Sequence, residues 1–470
     1  MTQVDQATAP PPLGVESPPQ SGSLEFLREL GLRAVRASAW TIGGMAASRM
    51  LRLANNLIMT RLLFPEAFGL MALVNIYVHG VQMMSDLGIG PSIIQSKRGD
   101  EAQLLNTAWS LQIIRGIVMW LMLAILAWPL AAFYAEPRLG WLITVAGLTA
   151  VIGGFESTAR HTLNRHLELR KLTLLEVGSQ AVAIVAMIVW ALNHRSVWAL
   201  VGGALVGSTV RVLWSHRLLP EFGNRLQWNA RAAHDVIRFG KWIFLSSAVG
   251  FLADQLDRMI LPKFIPMEIV GIYSIAVLLT LIPDQLVSQL NYRVLFPAVS
   301  KLARLSRDEL RQTVIHVRRY LLPALALVSA TMAASGSLLV RVLYDSRYHE
   351  AGWILCILAT GLWPRLLANT MGPVLLGIGQ PRYLAYLAAL RAMLILIGVP
   401  VAHHYYGLPG IVVTVAAANL ADYVVGAFGL WRHGLWIPRQ DFNASALWLA
   451  SLILLSLVCP GSPLNYVLWQ

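Results

Sequence analysis

The sequence predicts an all-α polytopic membrane protein built from two related halves, on three observations. Of its 470 residues, 56% are hydrophobic and only 13% charged, where soluble domains carry about 25% charged residues. Apolar runs of about twenty residues, enough to cross a bilayer as a helix, recur along nearly the whole chain. A stretch of the first half also returns, in weaker form, about 200 residues later, as expected of a duplicated bundle.

The repeat runs from Trp40 to Ile94 and again from Trp242. Trp40 matches Trp242, Asn56 matches Asp257, Pro65 matches Pro266, and Asp86 falls near Asp284.

Residues 1–23, rich in Pro, Ser and Gln, read as a disordered tail. The tail lacks a basic start followed by an apolar run, so it is not read as a signal peptide. Residues 24–37 read as an amphipathic helix in the membrane interface, with Arg28, Arg33 and Arg36 toward headgroups. Spans are expected near 38–62, 68–94, 105–134, 139–159, 172–192 and 196–216, then 240–262, 269–297, 320–343, 351–378, 383–402 and 408–430, with a thirteenth near 444–460. The first bundle is therefore 38–220, the linker 221–239, the second bundle 240–432, and 433–470 an extension with an additional span. Ser306 to Glu309 fits a capping box opening a basic amphipathic helix before the ninth span. Gly203 and Gly207 form a G-x-x-x-G, which implies close helix packing.

The basic residues sort by side. One set of loops and the N-terminal segment carry 23 Lys and Arg, the other set six, so the N-terminus is expected in the cytoplasm. This sorting explains the formal charge of +13 without nucleic acid. Cys356 and Cys459 sit in apolar spans and give neither a disulfide framework nor metal spacing.

Polar residues inside the spans carry the functional argument. A charge at the bilayer centre costs roughly 2.5–3.5 kcal/mol on insertion scales, so it should face a cavity or a partner. Asp254, Asp257 and Arg258 share one helix face, and Asp284, Gln285 and Ser288 share another, which suggests a water-filled cleft between them. Arg49, Arg52 and Asn56 share a face of the first span. With Arg258, Arg365 and Arg391 they are the candidate substrate-binding residues, because the planar guanidinium donates paired hydrogen bonds to phosphate oxygens. Asp86, Asp254, Asp257 and Asp284 are the candidate ion-coupling residues, since carboxylates at that depth can take up protons or Na⁺. Asp257 is expected to pair with the adjacent Arg258. No phosphate-binding G-x-x-x-x-G-K-[ST] loop and no Ser/His/Asp or Cys/His set stands on a loop, so neither an ATP motor nor an enzyme site is expected. No metal or other cofactor is expected.

The chain resembles oligosaccharide flippases of the polysaccharide transporter family, in the multidrug/oligosaccharidyl-lipid/polysaccharide exporter superfamily. The resemblance covers about 30–440. It rests on TRLLFPEAFGLMAL from Thr60, MSDLGIGPSIIQ from Met84 and ADQLDRMILPKFIPMEIVGIYSIA from Ala253. It implies about 12–14 transmembrane helices in two pseudo-symmetric six-helix bundles around a central V-shaped cleft. It further implies movement of undecaprenyl-diphosphate-linked glycans across the bacterial inner membrane by alternating access, with basic cleft residues holding the diphosphate. Glycosyltransferases, a polymerase and a chain-length regulator are the implied partners, beside membrane lipids. Three other readings stand beside this one. A cation antiporter of the multidrug branch would want an acidic cleft, and a lipid II flippase would differ in headgroup only. A membrane polysaccharide polymerase or ligase would need a large outer loop, and the outer loops here are short.

Overall fold

In hydrocarbon every backbone N–H and C=O must be paired within the protein, and a helix does this within one segment. The computed structural model shows that solution throughout. It describes residues 23–84, 93, 101–166, 168–219, 223–229, 251, 254–291, 299 and 307–458, without the side chains of 23–39, 290 and 307, and there is no strand among them.

The first half contains α1 (Ser23–Leu62), α2 (Pro65–Met84), α3 (Ala102–Phe133), α4 (Arg138–Gly154), α5 (Ala159–Arg165), α6 (Leu169–Asn193) and α7 (Trp198–Ser215). Residues 254–260 are helical and open the described part of the second half. It continues with α8 (Met267–Leu290), α9 (Arg307–Leu343), α10 (Ala351–Gly377), α11 (Arg382–Arg432) and α12 (Pro438–Val458).

Several expectations are refined. The interfacial helix 24–37 and the first span form one unbroken helix, α1. The capping-box helix and the ninth span are likewise one helix, α9. The fourth span is broken, with α4 and α5 meeting at 62°. The predicted spans 383–402 and 408–430 are the two halves of α11, hinged at Gly407, whose φ of 60° and ψ of −142° no helix contains. The thirteenth span is α12. By length and apolarity eight described helices can cross a membrane, or nine with the bent pair. Twelve or more spans were expected, and the difference has physical causes. α1 carries Arg49, Arg52 and Arg61 in its membrane half, α2 carries Asn75, His79 and Gln82 and its described part stops at Met84, α11 is a double span, and most of 240–262 lies outside the described residues.

Helix ends follow local chemistry. α10 closes on Gly379 and α11 on Gly434, with positive φ of 75° and 72°. The amides of Gln380 and Leu435 return to the carbonyls of Leu375 and Leu430, which satisfies the last turns. α3 ends the same way on Ala135, a non-glycine residue at φ 53°.

Neighbouring helices pack antiparallel, α3 on α4, α6 on α7 and α9 on α10, while α10 runs parallel to the second half of α11, with Gly361 against Ala416 and Gly426 against Met371. The glycine pair of α7 works as expected. A Cβ on Gly203 would lie 2.1 Å from Met187 Cγ of α6, and one on Gly207 would lie 2.6 Å from Ala183 Cβ. The halves meet through α2 and α8. A Cβ on Gly69 would sit 2.0 Å from the Met267 carbonyl oxygen, and one on Gly271 would sit 1.9 Å from that of Pro65. The two glycines are equivalent in the repeat, so the crossing is symmetric. Each half keeps its own apolar core, one around Leu73, Leu123 and Ile143, the other around Tyr273, Ile354 and Ile411.

Candidate functional site

A cavity of about 1160 Å³ opens within the first half, toward the end where α4 stops and α6 begins. α1 contributes Ser48, Arg49, Arg52 and Leu53; α2 contributes Gln82, and α3 Gln112, Arg115 and Gly116. Glu156, Arg160 and Glu176 stand around α5 and α6, and Leu278, Leu281, Ile282, Gln285 and Gln289 of α8 close the remaining wall. Two local devices shape it. The Gln112 amide donates to the carbonyls of Gly153 (3.1 Å), Gly154 (3.3 Å) and Glu156 (3.0 Å), which satisfies the backbone where α4 breaks. Ser48 and Gln180 exchange hydrogen bonds, side chain to side chain at 2.5 Å and Gln180 Nε2 to the Ser48 carbonyl at 2.9 Å, tying α1 to α6.

The cations of this cavity differ in their partners. Arg160 donates to Glu156 at 3.3 Å and to Glu176 at 3.1 Å. Arg115 donates to the Gln82 carbonyl at 3.0 Å. Among the described residues Arg52 reaches only Ser48, at 3.1 and 3.4 Å, and Arg49 makes no ion pair. Two guanidinium groups therefore face the cavity with no carboxylate of the described residues on either.

The second half builds a different arrangement. Asp284 of α8 accepts from Arg365 Nε at 3.2 Å, from Arg365 Nη2 at 3.4 Å and from Asn369 at 2.7 Å. Arg365 also lies 3.5 Å from Asp254. Arg391 bonds Asp254 and, at 2.9 Å, Asp422 across the bend of α11. Four elements meet in one network of three carboxylates and two guanidiniums. Arg365 and Arg391, expected to hold substrate, have their donors committed to these acids. Asp254 and Asp284, expected to couple an ion, already hold arginine.

Asn56 accepts from the Tyr344 hydroxyl at 2.9 Å, so its side chain joins the two halves rather than lining the cavity. Asp257 accepts from Tyr273 at 3.0 Å and not from Arg258. Adjacent helix residues point about 100° apart, so the expected pair cannot face. Arg258 lies outside the cavity, with its Nε buried and unbonded. Asp86 lies outside the described residues. Asp422, Asn369, Arg160, Glu156 and Glu176 were absent from the expected site. The i, i+4 spacing of Arg365 and Asn369 and the mid-span position of Asp422 were the signals in the sequence for the first two. Arg318, counted among loop arginines, is instead fully buried and donates to Asp441 of α12 at 2.7 Å and to Thr370 at 3.0 Å.

Comparison with known proteins agrees with this architecture. The family model described as "Polysaccharide biosynthesis protein" matches residues 58–352. The succinoglycan biosynthesis transport protein ExoT of Rhizobium meliloti is 22% identical over 358 residues, 76% of this chain and 72% of that protein. The teichuronic acid biosynthesis protein TuaB of Bacillus subtilis is 23% identical over 64% of this chain, and the lipopolysaccharide biosynthesis protein WzxC of Escherichia coli is 25% identical over 52%. The chain spans 62% of TuaB and 50% of WzxC. Among solved structures, the lipid II flippase MurJ in an inward closed conformation superposes with a TM-score of 0.67 at 14% identity, covering 90% of this chain and 92% of that one. An inward-facing multidrug-resistance transporter of the MATE family gives 0.63 at 14% identity, covering 85% and 95%. At such identities these likenesses show the fold. The chain is a multi-pass membrane protein that belongs to the polysaccharide biosynthesis protein family, the polysaccharide-transporter branch of the multidrug/oligosaccharidyl-lipid/polysaccharide exporter superfamily.

Proposed function

We propose that the protein is a flippase that carries an undecaprenyl-diphosphate-linked oligosaccharide from the cytoplasmic to the periplasmic leaflet of the bacterial inner membrane. One observation carries the reading: Arg49 and Arg52 stand in the cavity with no carboxylate of the described residues bonded to them, while Arg365 and Arg391 are neutralised within the protein. The donors of Arg49 and Arg52, taken up by no described acid, are open to an anion that enters the cavity. A diphosphate offers oxygens matched to two guanidinium forks. No covalent step is needed. The barrier is the transfer of sugar and diphosphate through hydrocarbon, and a hydrated cationic cavity lowers it. Alternating access completes the cycle, with the N-terminus in the cytoplasm as the charge distribution indicates.

Relatives named for succinoglycan, teichuronic acid and lipopolysaccharide biosynthesis support a glycan cargo. A cation antiporter would present free acids, whereas Glu156 and Glu176 are both bonded to Arg160. A lipid II flippase would share the diphosphate contacts and differ in what holds the sugar. Proton or Na⁺ coupling falls to Asp257, which among the described acids of the expected set holds no guanidinium. Glycosyltransferases, a polymerase and a chain-length regulator are the partners of such a step.

The test is translocation in proteoliposomes of an undecaprenyl-diphosphate-linked sugar against a cationic drug, with and without a proton or Na⁺ gradient. The lipid-linked sugar alone should move. The double substitution Arg49→Ala/Arg52→Ala should slow it about 10- to 100-fold, as expected for lost charge-assisted hydrogen bonds. Movement of the drug, or unchanged sugar transport in the folded double variant, would overturn the reading.

A further inference from the structure

The cavity is open toward one end, and the other end is held shut by bonds between the halves. Two tyrosine bonds there are related by the internal repeat, and the cation beside each comes from the second half. Tyr134 follows α3 directly, and its hydroxyl donates to the Met259 carbonyl of the opposite half at 2.8 Å. Tyr344 follows α9 directly, and its hydroxyl donates to Asn56 of the opposite half at 2.9 Å. Met259 and Asn56 occupy equivalent places, within one residue, when Gly69 is aligned with Gly271. A cation accompanies each tyrosine. Lys263 donates to the carbonyl of Phe133, the last residue of α3, at 2.8 Å. Arg347 donates to the carbonyls of Thr60 (3.2 Å), Arg61 (3.1 Å) and Leu63 (3.3 Å), where α1 ends. An acid-x-Arg pair follows each tyrosine as well, Glu136–Arg138 and Asp345–Arg347.

We propose that Tyr134 with Lys263 and Tyr344 with Arg347 form a two-part latch that closes the exit end of the cavity and must release at both parts for cargo to leave. The inference rests on the alternating-access reading above. Its chemistry suits a bond made and broken in every cycle. All acceptors but Asn56 are carbonyls at or next to helix ends, which the helix itself leaves free. Water can take over each of them without any change in the helix. The Gly69–Gly271 crossing lies beside the latch and is the close backbone contact about which the halves pivot.

Leu53 lines the cavity one turn before Asn56 and reports which end is open. The experiment uses the full chain carrying Cys356→Ala, Cys459→Ala and Leu53→Cys, in sealed proteoliposomes of known orientation. A membrane-impermeant maleimide is added to one face or the other. The parent should label from the cavity face. Tyr134→Phe/Tyr344→Phe should raise labelling from the latch face about tenfold, the effect of one to two net hydrogen bonds on an equilibrium. It should lower labelling from the cavity face, and each single change should do less than the pair. If the tyrosine pair fails to fold, Lys263→Gln/Arg347→Gln is read the same way. An unchanged ratio of labelling between faces, in a variant that melts like the parent, would overturn the latch. Translocation of the undecaprenyl-diphosphate sugar is followed in the same vesicles. If it persists in the parent while the variant ratio is unchanged, the latch falls and the flippase reading stands. If the parent moves no sugar but the variant ratio shifts, the flippase reading falls and the latch stands.

Discussion

Arg391 holds two acids, Asp254 and Asp422, from two different elements. Arg391→Met would leave Asp422, almost fully buried, with no guanidinium bonded to it. Removing one partner of such a pair costs about 3–5 kcal/mol, so the variant should melt well below the parent in detergent. Arg52→Met, at an exposed position, should shift stability by less than about 0.5 kcal/mol. That contrast is opposite to the expected transport phenotype, in which Arg52 matters directly. Asp345 gives a second prediction. The Arg347 amide, the Arg347 guanidinium and the Ser346 hydroxyl bond its carboxyl and lower its pKa to about 2. Its contribution to stability is complete above the unfolded value of about 3.9 and fades as pH falls through about 2. The stability difference between parent and Asp345→Asn should therefore be flat from pH 5 to 8 and shrink only below about pH 4, as read from melting curves. In the sequence Arg49, Arg365 and Arg391 look alike, as mid-span cations. Their difference is set by partners 81 to 137 residues away, Asp284 and Asp254. Spacing along a helix reveals which face a charge occupies, and no local pattern reveals which distant helix will stand opposite.

The helices themselves were largely legible, because twenty apolar residues mark membrane depth directly. Breaks and joints were less so. Arg28, Arg33 and Arg36 suggested a separate interfacial helix, yet a change of polarity does not interrupt backbone hydrogen bonding, and α1 runs through. The bend between α4 and α5 depends on Gln112 of another helix, which no reading of residues 139–159 contains. Gly407 is the opposite case, where backbone alone decides. A Cβ there would meet nothing within 4 Å, but the φ of 60° with ψ of −142° is almost closed to other residues. Gly407→Ala should cost about 1–3 kcal/mol from strain alone. Gly271→Ala should destabilise for a different reason, since its Cβ would fall 1.9 Å from the Pro65 carbonyl oxygen of α2. Crowding of this kind costs about 1–3 kcal/mol or more. Melting temperatures of the two variants check both statements.

Duplication was visible in the matched tryptophans and prolines, and the molecule extends it to the crossing of α2 with α8 and to the paired tyrosines at the closed end. The halves have nevertheless diverged. The first surrounds a cavity in which Arg49 and Arg52 hold no carboxylate of the described residues, and the second fills the corresponding depth with internal ion pairs. α12 lies beyond the duplication, yet the second half depends on it. Arg318 and Asp441 are both buried, and Asp441 also accepts from Trp436 at 3.1 Å and Tyr423 at 3.3 Å. Deleting residues 433–470 should therefore cost about 3–5 kcal/mol through an unpaired buried guanidinium, and Arg318→Met in the shortened chain should restore part of it. The same pair also orders events during synthesis. Arg318 leaves the ribosome 123 residues ahead of Asp441, a wait of roughly 6–25 s at about 5–20 residues per second. Throughout that interval the nascent second half carries an uncompensated charge, and its final packing waits on α12.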